Sequence, residues 1–145
     1  MEISNDNQIA KTMLTHLNLW PEKPCTILLE TMDKAPRSLS MAIQQLSGTV
    51  VSKKYIDGSF IGAWPFAVYI RFGGADTGKR LDADATLHAL SNWLCQTMEL
   101  PDLGKFRTAT SIEMTSLPSI AAQYDDGGVD YQAVFRLNYR QRSSD

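Results

Sequence analysis

Residues 49–72, TVVSKKYIDGSFIGAWPFAVYIRF, decide the fold. Two apolar arms, 49–56 and 60–72, flank Asp57-Gly58, a dipeptide suited to a tight hairpin because Asp and Gly tolerate positive φ. In the second arm Phe66, Val68, Ile70 and Phe72 alternate with Ala67, Tyr69 and Arg71, the period-2 mark of a half-buried strand. Pro65 has no N–H for a ladder, which places it at a strand's start or on an edge. The cleanest alternation lies further on. Tyr131, Ala133, Phe135, Leu137 and Tyr139 alternate with Gln132, Val134, Arg136, Asn138 and Arg140, after an Asp125-Asp126-Gly127-Gly128 turn. Two shorter strands are expected at 111–115 and 120–124, broken by Pro118.

Outside these runs the period changes. Ile9, Ala10, Met13, Leu14 and Leu17 recur at helical spacing after Asn5, a suitable N-cap, with Pro21 and Pro24 beyond. Ala83, Leu87, Leu90, Leu94 and Met98 form the stripe of a second helix, with Trp93 beside it, Asp82 as its cap and Pro101 as its stop. Residues 25–32, CTILLETM, have strand length. Residues 38–46 fit both periods; the alternation of Leu39, Met41 and Ile43 favours a strand, whereas Leu39, Ile43 and Leu46 also fit a helix. The order helix, strands, hairpin, helix, hairpin predicts one α+β domain over 1–145. It has a mixed or antiparallel sheet of about five to six strands, with two amphipathic helices packed on it.

Composition sets the outer limits. A chain of 145 residues with 43% hydrophobic and 21% charged side chains has globular proportions and can bury a core without disulfides or metals. No apolar run approaches the ~20 residues of a membrane-spanning helix, and the polar start Met1-Glu2-Ile3-Ser4-Asn5-Asp6 does not read as a secretory signal. Fourteen basic against sixteen acidic residues give a net charge of −2, not the positive excess of a protein that wraps nucleic acid. Mean hydropathy is −0.21. Cys25 and Cys95 lie far apart with no CxxC or Cys/His pattern, and two reduced thiols are expected.

Each candidate for chemistry meets a competing explanation. Gly73, Gly78 and Lys79 have phosphate-loop spacing between a strand and a helix, but Arg80 stands where a Ser or Thr should meet magnesium. The expected helix start near Asp82 and the hairpin-connected strands also argue against a nucleotide site. His16 and His88 have no second His or Cys at i+3 or i+4, so metal spacing is absent. Asp125, Asp126 and Asp130 lack the full oxygen spacing of a calcium loop. Arg136, Arg140 and Arg142 fall at even spacing and read as a solvated or inter-subunit stripe. Tyr55, Phe60 and Trp64, around the first hairpin, fit either a core or the apolar anchors of a protein interface. No catalytic, cofactor-binding or metal constellation emerges, and the residues favour a binding or assembly protein over an enzyme.

Two stretches together carry a resemblance. Lys54-Tyr55-Ile56-Asp57-Gly58-Ser59 is followed by Trp64-Pro65-Phe66 opening a strand. Later, Leu117-Pro118-Ser119 and the acidic Gly turn precede Asp130-Tyr131-Gln132-Ala133-Val134-Phe135-Arg136-Leu137-Asn138-Tyr139. The order resembles a family of small proteins of tailed bacteriophages and prophages, encoded among head–tail morphogenesis proteins and known as minor capsid proteins. That family in turn resembles the tail terminators of long-tailed phages. The resemblance implies a hexameric ring that caps the tail tube, ends its polymerisation and meets the head connector. The expected partners are further copies of the chain, the tube protein and a head-completion or connector protein, with DNA only passing through the lumen and no membrane or cofactor. The expected location is the virion, after assembly in the host cytoplasm. A connector or minor capsid role in the same module, or a small protein-binding adaptor, is the alternative. In the ring, Asp125, Asp126 and Asp130 are expected to face the lumen or an axial surface, because an acidic lining lets DNA slide.

Overall fold

The structure, a computed structural model, describes residues 5–29, 40–46, 50–72, 77–96, 100–104, 106–124 and 128–142. Helix α1 (Asn5–Leu17) leads into β1 (Ile27–Leu29), β2 (Ser40–Gln45), β3 (Val50–Lys54) and β4 (Phe60–Phe72). Then come α2 (Thr77–Gln96), β5 (Arg107–Gln123) and β6 (Val129–Gln141). The strands form one sheet in the order β1-β2-β4-β6-β5, and β3 also pairs with β4. Among the described residues only β1 and β2 run parallel and every other pair is antiparallel, so the sheet is mixed and the fold is α+β as expected.

The centre is the β4–β6 ladder, paired without interruption from Phe60↔Gln141 to Phe72↔Val129. This register sets the two alternating series face to face: Trp64 opposes Leu137, Phe66 opposes Phe135, and Ile70 opposes Tyr131. Trp64 stacks on Phe66 at 5.1 Å and Phe66 on Phe135 at 5.4 Å, while Phe60 meets Tyr139 edge-on at 6.2 Å. Both helices cover this same face. Ile9, Met13 and Leu17 of α1 and Leu87, Leu90 and Leu94 of α2 bury in one cluster with it. Truncating any of these leucines to alanine would cost about 2–5 kcal/mol. Asn18 ties the end of α1 to β1: its amide donates to Leu14 O (3.0 Å) and Ile27 O (3.1 Å), and its Oδ1 accepts from Ile27 N (2.9 Å).

Three details differ from the sequence-based expectation. Pro65 lies inside the central strand β4, not at a start or an edge. There β4 changes neighbour, pairing with β3 up to Ala63 and with β2 from Phe66. The Pro65 carbonyl accepts from Leu46 N on that side. A strand residue's N–H and C=O point the same way, so the missing donor falls at the junction, where no ladder needs it. The second difference is β5, which runs unbroken through Pro118. Its pairing jumps from Ser116↔Val134 to Ser119↔Gln132, so Leu117-Pro118 bulges out of an edge strand instead of ending it. Third, α2 begins at Thr77, so Asp82 sits in its second turn and is not its cap. Met98 lies outside the described residues.

Candidate functional site

The face of the sheet opposite the helices mixes polar and small apolar residues. Strict alternation along β4 and β6 places Ala63, Pro65, Ala67, Tyr69 and Arg71 there, beside Asp130, Arg136, Asn138 and Arg140. Two hydrogen-bonded groups occupy it. At one end Arg71 and Asp130, directly opposed in the ladder, form a two-pronged pair: Nε to Oδ1 at 2.7 Å and Nη2 to Oδ2 at 2.9 Å. The Tyr124 hydroxyl donates to Asp130 Oδ2 at 2.6 Å and accepts from Arg71 Nη2 at 2.9 Å. Burial pushes the Asp130 carboxyl up, but the bonds from Arg71 and Tyr124 and the Arg71 charge outweigh it and hold the carboxyl below its ordinary value. Tyr124 is pushed up, first by its bond to Asp130.

Further along, Arg136 Nη2 and Asn138 Nδ2 both donate to Glu113 Oε1, at 2.9 and 2.6 Å, and Asn138 also reaches Ser111 Oγ at 3.0 Å. The Arg136 bond, then the Asn138 bond, lower the Glu113 carboxyl. Beside these groups lie two hollows. One, of about 350 Å³, is bordered by Gln44, Tyr69, Arg71 and Asp130; the other, of about 520 Å³, by Val50, Pro65, Thr115 and Arg136. Their charges are paired within the chain, so neither presents an uncompensated ion to a ligand.

The residues singled out from the sequence separate. Trp64 is fully buried in the aromatic stack, and Phe60 is half-buried against Tyr139. Tyr55 is the most exposed of the three, with Lys53 Nζ 5.4 Å and the Arg140 guanidinium 5.9 Å from its ring centroid. Asp130 is 7% exposed and bound to Arg71. Asp125 and Asp126 lie outside the described residues.

Residues 73–76, the glycine-rich part of the phosphate-loop spacing, are likewise outside the described residues. Because α2 starts at Thr77, the argument from a helix start near Asp82 falls. The argument from strand direction holds: every neighbour of β4 is antiparallel to it. Of the histidines, His16 is buried and stacks on Trp93 at 5.1 Å, and His88 sits on the surface 3.5 Å from Asp84. Among the described residues no three His, Cys, Asp or Glu side chains gather as metal ligands, and no helix is long and apolar enough to cross a membrane.

Sequence reasoning missed the β3 edge. All five residues of β3 are exposed, and the turn that follows exposes Ile56 completely. Asp57 shapes that turn, accepting from Ser59 N (2.9 Å) and Ser59 Oγ (2.6 Å), while Gly58 adopts φ +92°. The Ser59 bonds lower the Asp57 carboxyl. The two adjacent valines and the isoleucine beside a turn were the available signal.

No known protein family and no curated protein matches this chain. Its fold does have solved counterparts. A chain from the virion of a native gene transfer agent particle superposes with a TM-score of 0.57, over 92% of this chain and 93% of that one, at 12% identity. That likeness establishes a shared fold across nearly the whole length of both chains.

Proposed function

We propose that this chain is a non-enzymatic structural protein of a phage-type particle, and within it a tail terminator. Copies close into a ring, six on the tail-terminator resemblance, that caps the tail tube, stops its growth and turns its other face to the head connector. The observation that carries this reading is the near end-to-end fold match with a virion chain, which stands beside the resemblance to phage morphogenesis proteins. A ring of head-to-tail contacts uses two different patches of each copy and leaves two unlike faces, which suits a cap that binds a tube on one side only. The helix-free face, where Arg71 pairs with Asp130 and Arg136 with Glu113, is compatible with a solvated surface in such an assembly. In this reading Asp125 and Asp126 face the lumen or an axial surface, whereas Asp130, held by Arg71 and Tyr124, is taken up within the sheet.

The test is tube length. The tube protein of the same particle, polymerised alone, should give tubes of indefinite length by electron microscopy. Polymerised with this chain, it should give tubes that stop growing and carry extra density at one end. Tube lengths unchanged by a stoichiometric excess of the chain would refute the terminator role.

A further inference from the structure

The sheet has three edge strands, and they are not alike. β1 has three residues and is covered by α1. β5 is blunted by the Leu117-Pro118 bulge and three further irregularities in its pairing. Among the described residues nothing pairs with the outer edge of β3, and the strand is not strongly bent. It pairs with β4 on one side, has a single register shift, and presents its other side to solvent. Five exposed large apolar residues fall at or beside it: Leu46, Val50, Val51, Tyr55 and Ile56. Lys53, Lys54 and Arg140 gather at the same end, and the nearby Asp57 is engaged by Ser59.

We propose that the free edge of β3, Val50–Lys54, is a strand-addition site for an extended segment of a different protein. That segment carries small apolar residues against Val50 and Val51 and acidic residues against Lys53 and Lys54. An unpaired edge supplies main-chain hydrogen bonds, and flanking side chains supply selectivity. Another copy's β3, Val50-Val51-Ser52-Lys53-Lys54, is disfavoured because it brings no acidic residue to Lys53 and Lys54. This chain's β5 is disfavoured because its bulges interrupt a second ladder. Nucleic acid would use Tyr55 and the cations but would leave four exposed aliphatic side chains and a backbone edge unused. Charge complementarity therefore selects an acidic polypeptide. The inference does not require a closed ring, and its failure would leave the ring reading untouched.

The test uses the full chain and two capped synthetic peptides with the same alternating valine–threonine core, one ending in two glutamates and the other in two lysines. Amide NMR shifts and hydrogen exchange are followed on titration. The glutamate peptide should shift and protect the amides of residues 50–54, and the lysine peptide should bind at least about tenfold more weakly. The double variant K53E/K54E, at exposed positions that should leave the thermal midpoint unchanged, should reverse the preference. Equal binding of the two peptides, or no shifts at 50–54 at millimolar peptide, would overturn the proposal. So would tighter binding of oligothymidylate than of the glutamate peptide.

Discussion

Replacing Trp64 with alanine is expected to cost about 3–5 kcal/mol, the range for removing a large buried aromatic, and to lower the thermal midpoint by roughly 10–15 °C. The cost follows from position. Trp64 is 0% exposed, stacks on Phe66 and opposes Leu137 in the unbroken β4–β6 ladder. Its removal leaves a void under the middle of the sheet and takes away one end of the Trp64–Phe66–Phe135 stack. Trp64→Phe should be far milder. It keeps a ring in the stack and removes a buried indole N–H that has no hydrogen-bond partner among the described residues, which offsets part of the lost volume. Thermal and urea unfolding of both variants checks this. If Trp64→Ala keeps its stability but loses self-association, Trp64 belongs to an interface and the packing described here is wrong.

The second large effect is at the Arg71–Asp130 pair. Arg71→Ala should cost about 2–3 kcal/mol, because it strands a carboxylate whose side chain is 9% exposed with Tyr124 as its remaining partner. The cost stays below that of a fully buried pair because the Arg71 side chain is 25% exposed. The pH dependence has a defined sign. The Asp130 carboxyl is lowered in the folded protein, so its contribution is complete above the ordinary value of 3.8 and is lost as pH falls through the lower folded value. Without Arg71, burial dominates and raises that carboxyl above its unfolded value, so the sign reverses: the deficit of Arg71→Ala should be largest near neutral pH and shrink as pH falls and Asp130 is protonated. In Asp130→Asn the acid limb should flatten. Urea midpoints measured between acidic and neutral pH will show it, and an Arg71→Ala deficit that stays the same at every pH would remove the pair from the account.

These two sites also show what was legible in the sequence. The alternation of residues 131–140 and 66–72 identified β6 and the C-terminal half of β4, and the hairpin at Asp57-Gly58 joined β3 to β4. Trp64 shares the phase of Phe66 and Val68, so its burial was readable from that same alternation, although its size and place near a hairpin also suggested an interface anchor. The role of Asp130 was not readable locally. Its partner is 59 residues away, and the two meet only because the β4–β6 register sets Arg71 opposite Asp130. Beside Asp125 and Asp126 in the sequence, Asp130 looked like part of one acidic tip.

The prolines misled for a related reason. Pro118 is tolerated because β5 is an edge, and Pro65 because β2 and β3 leave a junction beside it. Edge and junction are properties of strand order, which no local window contains. The openness of β3 likewise follows from strand order, because among the described residues it pairs with β4 alone, off the main path of the sheet.

The central claim is that this fold serves as a ring-forming component of a phage-type particle, and native mass spectrometry across a wide concentration range, with negative-stain imaging of the largest species, tests it most directly. The account predicts a species of six copies of 16.2 kDa, about 97 kDa, seen as a closed ring with a central opening. A stable two-fold dimer of about 32 kDa that never grows further would contradict it, because an isologous contact uses up the surface a ring must pass from copy to copy.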